Sequence, residues 1–572
     1  MSGPNTSDKK LLTRRQVTAL LGLAGVGTVA AAVAKTAGFE RLSSLVGGSS
    51  TAAGQVIPGQ LLGASHKVGH ILRQLPKDKP ARTITTGIAI VGGGISGLSA
   101  AYMLKKKGYE DFQLFELENE VGGNSSSGEN GVSAHPWGAH YVPLLGNDAT
   151  EAHELFKDLG IIEGVDAEGR AIYNEDYLCA DPHDRLFHHG IWQEGLVPKS
   201  GLTDHEQSQY QQFFSFLERL KHTRGKDGKP AFTIPADRSS RDPEFLKYDQ
   251  ITMAEFMRQN GWEAGSLLWY VEYCCRDDYG TGIDQVSAWA GLHYFASRSG
   301  IAANADSQTV LTWPEGNGWI VKKLREKVSS QLRCGQLVYN VETDQSTGDV
   351  LVDTITTGSG ETLRIRAKSA IFAAPQFIAG RVVKKLREAP PEYLRDFTYA
   401  PWLVANVTLK SVPPGPGVGL CWDNVSVASR SLGYINATHQ LIPLTPGPTV
   451  VTYYRPLDER DPLTERREAL TKTQAQWAEE VAKDLESMHP SIRREILNID
   501  VWVWGHAMLR PLPGFITGES RKNAARPLDR ILFAHSDLSG IPIFEEAHAR
   551  GTQAALKALE FLSRPRNNLA GI

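Results

Sequence analysis

The apolar positions of this chain repeat with two periods, and their order predicts the fold. Ile88, Ile90 and Val91 form a short β-branched run suited to a buried parallel strand. Residues 95–107 then read as helix and 112–115 as a second strand. Further strand-like runs lie at 336–341, 350–357, 370–375, 403–409 and 449–454. Helices are predicted at 151–159, 204–222, 252–260, 264–276 and 320–332, and at 465–488, where the pattern stops before Pro490. Trp502 and Trp504 fall on one face of a strand. Residues 530–555 read as strand, turn and final helix. The chain is therefore expected to be α/β: a doubly wound, Rossmann-like domain, discontinuous in sequence, with a mixed α+β domain inserted.

The first candidate chemistry sits between the first two strands. Gly92-x-Gly94-x-x-Gly97 joins strand to helix. The first glycine permits the tight turn, the second lets backbone approach a pyrophosphate, and the third lets helix pack on strand. The helix begins at Ile95 and Ser96, whose N–H groups face the phosphates together with the positive end of the helix dipole. Glu116 closes the second strand roughly 20 residues after the glycines, where a carboxylate can accept hydrogen bonds from a ribose.

Bulk composition narrows the class without naming a function. The 572 residues are 41% hydrophobic and 22% charged, with a formal net charge of −3. That length implies more than one domain, and that charge gives no reason to expect nucleic acid as a partner. Five cysteines, lacking zinc spacing, suggest neither a metal site nor a disulfide scaffold. At the N-terminus, Lys9, Lys10, Arg14 and Arg15 precede an uncharged run at 17–33, followed by small residues. This is the layout of a signal peptide, with an uncleaved N-terminal anchor as the alternative. Thr13-Arg14-Arg15-Gln16-Val17 resembles the twin-arginine export signal, which implies the twin-arginine machinery as a partner and a periplasmic or cell-envelope location.

Beyond Glu116 the motifs resemble those of the flavin-containing amine oxidoreductases, the superfamily of monoamine and polyamine oxidases. Gly122-Gly123 matches that family's glycine pair, and Gly138-Ala139-His140-Tyr141 matches the segment that lies against the flavin ring. Asn124 stands where the family has an arginine; it can hydrogen-bond a phosphate but cannot neutralise one. The turn from Trp313 to Trp319 and the segment Ala373-Ala374-Pro375 match two further motifs. The resemblance gives a valine near Val341 the task of holding adenine through its backbone. It gives Asp537, after the last predicted strand, contact with the ribityl or diphosphate part of FAD. Glu546 replaces a family glycine. The implied cofactor is FAD, bound non-covalently because 501–511 carries no cysteine.

These motifs divide the chain into a signal peptide (1–34), an extension (35–84), an FAD-binding domain (85–150, 306–390 and 501–565) and a substrate domain (151–305 and 391–500). The first expectation is an exported oxidoreductase that takes hydride from an amine, such as a polyamine, onto flavin N5. Oxygen, a quinone or a cytochrome then accepts the electrons. Alternatives are a desaturase of an isoprenoid-like or apolar substrate and a non-catalytic flavin-binding relay or assembly protein. Candidate catalytic residues are His506, as base or donor, and Trp504. Glu545, Glu546, Asp277 and Asp278 are candidates to attract a cationic amine, the last two weighed against a solvated turn before Tyr279-Gly280.

Overall fold

The computed structural model describes residues 56–76, 80, 82–441 and 447–563. The expected export signal at 1–34 lies outside the described residues, as does the first part of the extension.

The chain folds into a mixed α/β structure around two large sheets. The first has seven strands. Its parallel part runs, in order, Leu332–Arg333, Phe112–Phe115, Arg82–Val91, Thr362–Phe372 and Ile531–Phe533. Val350–Thr356 and Gln336–Thr343 extend it antiparallel from the first half of Thr362–Phe372. Arg82–Val91 is buried on both faces from Thr86 onward, which explains its continuous apolar run. Ile88 and Ile90 pack into a cluster with Ile95–Lys106, Gly318–Val328 and the final helix Phe544–Ser563. Ala89 and Val91 face the opposite cluster, with Val338, Val350 and Val352 of the antiparallel strands.

The second sheet has eight strands. Its centre pairs Tyr399–Leu409 with both Thr449–Pro456 and Ile496–Leu509. One face packs on Gln474–Met488 through Trp477, Val481 and Leu485. The other carries Trp402, Val404, Tyr454 and Trp504. Part of the extension is built into this sheet: Leu61–Gly63 pairs parallel with Val501–Val503. Ser65 then ties the extension to the first sheet, its N–H and hydroxyl donating to Glu118 at 2.7 and 2.6 Å.

Two local details depart from the sequence pattern. The helix expected at 465–488 is broken into Pro462–Ala469 and Gln474–Met488. Thr473 and Gln476 form a capping box that starts the second helix, a local signal stronger than the continuous helical composition. Glu546, the departure from the family glycine, is 1% exposed, and its Oε1 accepts the Ala236 N–H at 2.5 Å. It thereby ties the start of the final helix to the loop around Ala236–Arg238, where Asp237 pairs with Arg521 and Arg550.

Candidate active site

The carboxyl ends of the parallel strands form one edge, and the expected cofactor residues gather there. Gly92 has φ +102°, a conformation side chains rarely adopt, and a Cβ there would lie 3.1 Å from the Ala373 carbonyl. A Cβ at Gly97 would lie 1.9 Å from Gly92 O, so only glycine lets the helix approach the turn. A Cβ at Gly94 would meet nothing within 4 Å, which leaves an open cradle above the start of Ile95–Lys106. Ile95 and Ser96 are buried in that first turn, and the Ser96 hydroxyl has no partner among the described residues. Gly122 returns to this turn, its N–H donating to Gly93 O at 2.9 Å. Gly123 lies beside Gly94, since its Cβ would fall 3.3 Å from Gly94 Cα.

Glu116 extends from the neighbouring strand. Its carboxylate accepts the N–H groups of Gly93 at 2.6 Å and Glu118 at 2.8 Å. Burial pushes its carboxyl above the usual range, opposed by those two hydrogen bonds. Asp537 is 1% exposed; its Oδ2 accepts from Tyr399 Oη at 2.6 Å and the Gln376 N–H at 2.9 Å. Burial opposes its ionisation, but His535, Tyr399 and Gln376 prevail and hold its pKa below the ordinary value. The open cradle, the helix N-terminus and the carboxylate on the next strand together fit a dinucleotide cofactor.

Val341 lies in the antiparallel part of the first sheet. Its strand is paired with Val352 on one side and bridged to Val383 on the other. The strand approaches Glu116 at its beginning, where the Gln336 N–H donates to Glu116 O at 2.7 Å. Val341 lies five residues further on, about 16 Å at the usual strand rise.

The crevice continues into a cavity of about 140 Å³ between the two sheets. Gly138, Ala139 and His140 form one wall, Trp402, Tyr454 and Trp504 another, and Pro542 to Glu545 a third. His140 stacks on Tyr454 at 4.5 Å between centroids, and burial lowers its pKa to about 4, so the ring is neutral. Trp504 lines the cavity with its ring, while its indole N–H donates to Trp137 O at 2.6 Å. Asn124 joins crevice to cavity: its side-chain amide donates to Ala507 O and its carbonyl accepts the Ala139 N–H at 2.8 Å. In this arrangement the position of the family arginine carries a neutral cross-link between the glycine turn and the cavity wall.

His506 does not reach the cavity. Strict alternation would put it on the face of Trp504, but the pairing jumps from Trp402–Trp504 to Ala400–Met508, two extra residues in Ile496–Leu509. This bulge brings Ala507 and Met508 to the cavity. His506 stacks instead on Phe377 at 4.1 Å, edge-on to Tyr399. Burial, with Arg466 and Arg381 nearby, lowers its pKa to about 3.

The polar groups of the cavity come from elsewhere. Asp277 and Asp278 end the helix Gly265–Tyr279, which Gly280 caps in the left-handed conformation. They are not a solvated turn: Asp278 is 6% exposed and Asp277 faces the cavity. Tyr141 Oη donates to Asp277 Oδ2 at 3.1 Å, and Arg298 Nη2 pairs with Asp278 Oδ1 at 2.6 Å. Arg298 also lies 3.9 Å over the ring of Tyr294. Glu545, 3% exposed, lines the opposite wall. Burial raises the pKa of all three carboxyls; Asp278 adds to the effect on Asp277, and Glu545 is pushed up to about 7. Arg298 had no local signal in the sequence. Asp277 had a weak one: it stands four residues after Tyr273, on the same helix face in the aromatic-rich segment.

Among the described residues no group of three or more His, Cys, Asp or Glu could hold a metal, and no helix is long and apolar enough to cross a membrane. Residues 90–159 match the family model of the NAD(P)-binding Rossmann-like domain. A stretch of 48 residues, 8% of this chain, is 50% identical to the polyenoic fatty acid isomerase of Ptilota filicina and spans 10% of that protein's length. A double mutant of putrescine oxidase is similar over 84% of this chain and 100% of its own, with a TM-score of 0.61 and 14% identity. A fatty acid isomerase from P. acnes that produces CLA is similar over 82% of this chain and 98% of its own, with a TM-score of 0.58 and 16% identity. The shared property is the fold: a dinucleotide-binding Rossmann-like domain joined to a second sheet in the arrangement of the amine oxidases.

Proposed function

We propose that this protein is an FAD-dependent oxidoreductase that oxidises the C–N bond of an amine. The observation that carries the reading is the charge balance of the cavity. Three carboxyl groups, Asp277, Asp278 and Glu545, line it with one guanidinium, Arg298, and aromatic walls. Buried carboxyls with too few cations are the electrostatic complement of a cationic group. FAD, when bound, supplies the hydride acceptor. The chain's own residues do the rest. The glycine turn and Glu116 hold the dinucleotide end, Gly138 to His140 lie against the flavin, Tyr454 and Trp504 confine an apolar substituent, and the carboxylates draw in the ammonium and take up its proton. Burial in this cavity favours the neutral amine, the form that can lose hydride.

A second reading is favoured by the 48-residue match to a fatty acid isomerase: redox or isomerisation chemistry on an unsaturated apolar chain. Anaerobic titration of the purified flavoprotein separates the two. Bleaching of the visible flavin bands by putrescine, spermidine or benzylamine supports the amine reading. Bleaching only by unsaturated fatty acids or polyenes, or double-bond migration without net bleaching, supports the second. A preparation without flavin bands sinks both. Admitting air, then a quinone or cytochrome, identifies the acceptor. We further propose export by the twin-arginine route, supported by residues 13–17 and the uncharged run at 17–33. Substituting Arg14 and Arg15 by lysine then retains the protein in the cytoplasm.

A further inference from the structure

The three cavity carboxyls differ in their partners. Asp277 accepts from Tyr141 Oη, Asp278 pairs with Arg298, and Arg298 reaches back to Tyr141 Oη at 3.5 Å. These four groups form one connected network. Glu545 stands outside it: among the described residues its side chain is hydrogen-bonded only by its own backbone N–H, although it is 3% exposed and lines the cavity. Its neighbour Glu546 points away and is held by the Ala236 N–H. A buried carboxyl without a partner side chain is costly to ionise unless something in the working protein partners it.

We propose that Glu545 is the residue that receives the substrate ammonium and accepts its proton. This rests on the amine reading above. The step is a proton transfer: one N–H bond of R–NH₃⁺ breaks, an O–H bond forms on Glu545, and a neutral amine is left beside a neutral carboxylic acid. No charge then remains in the cavity from the pair, which suits its apolar walls. The groups bearing on Glu545 are Arg298 on its own loop, Asp278 at the end of Gly265–Tyr279, Glu546 on its own helix and Tyr173 from the strand Ala171–Tyr173. The Arg298 charge favours ionisation, and the carboxylates oppose it.

The test uses tert-butylamine, which has no hydrogen on its α-carbon and so binds without being oxidised. Binding to the flavoprotein is followed by the change in flavin absorbance from pH 5.5 to 8.5. In the wild type, affinity rises about tenfold per pH unit until Glu545 is ionised, near neutrality, and then levels off. Glu545→Gln is expected to weaken binding at pH 8 at least tenfold and to flatten the profile. Glu545→Asp keeps the profile at reduced affinity. Unchanged affinity and an unchanged profile in Glu545→Gln overturn the assignment. A wild type that neither binds tert-butylamine nor is bleached by any amine overturns the amine reading itself, a distinct result.

Discussion

Replacing Arg298 by methionine keeps the length of the side chain and removes the only cation among the cavity-lining residues. In the wild type the guanidinium is 2.6 Å from Asp278, with side chains 20% and 8% exposed. Breaking a buried pair from one side costs about 3–5 kcal/mol, because the other charge is left without compensation. The sign with pH follows from Asp278. Its folded-state pKa is already raised above the unfolded value and rises further without Arg298. A raised carboxyl costs nothing where it is protonated in both states and costs most above its folded pKa. Arg298→Met is therefore expected to lose about 3–5 kcal/mol at pH 8 and distinctly less at pH 5, read from denaturant unfolding at both values. Adding Asp278→Asn to it removes the stranded charge and is expected to recover most of the loss at pH 8. The charge argument is refuted if the single variant loses the same at both pH values and the second substitution restores nothing. Arg298 would then act through its stacking on Tyr294, 3.9 Å away.

Other perturbations test other parts of the structure. Gly97→Ala puts a methyl 1.9 Å from Gly92 O, so the helix must move off the turn. It is expected to cost about 1–3 kcal/mol and to yield protein with markedly less flavin, read from the visible-to-ultraviolet absorbance ratio. Glu546→Gly strands the buried Ala236 N–H, at about 1–3 kcal/mol. Limited proteolysis should then cut near residues 231–239 before it cuts the wild type. His506→Ala, outside the cavity, should leave the rate of flavin reduction by a substrate within about twofold, while the lost stack on Phe377 costs about 1 kcal/mol or less in unfolding.

The crevice was legible in the sequence and the cavity largely was not, for a physical reason. Two glycines of the turn answer to local needs: Gly97 to the Gly92 carbonyl and Gly92 to its own positive φ. Such needs leave a local trace. The cavity is assembled from segments far apart, and Asp278 owes its partner to Arg298, 20 positions on, while Asp277 owes its partner to Tyr141, 136 positions back. Read locally, two aspartates before Tyr279-Gly280 look like a solvated helix end, and the glycine cap is indeed there. Only the tertiary arrangement makes them buried. His506 differs: the bulge between Trp504 and Met508 is set by pairing with Tyr399–Leu409, which leaves no local trace around His506.

The same buried acids also separate the two substrate classes by the direction of proton exchange. Glu545 ionises at about 7, so at pH 6 it is mostly protonated. An ammonium ligand binds the ionised form and must expel that proton. A fatty acid carboxylate brings a fourth acidic group beside Asp277, Asp278 and Glu545, and the cavity can hold it only by retaining or gaining protons. Calorimetric titration at pH 6 in buffers of different ionisation enthalpy counts these protons. Release approaching one proton with tert-butylamine, absent in Glu545→Gln, is the outcome the amine reading requires. Uptake with linoleate, together with no binding of any amine, would show that the surplus of carboxyls serves instead to bind a protonated fatty acid, and the charge balance of the cavity would have been read with the wrong sign.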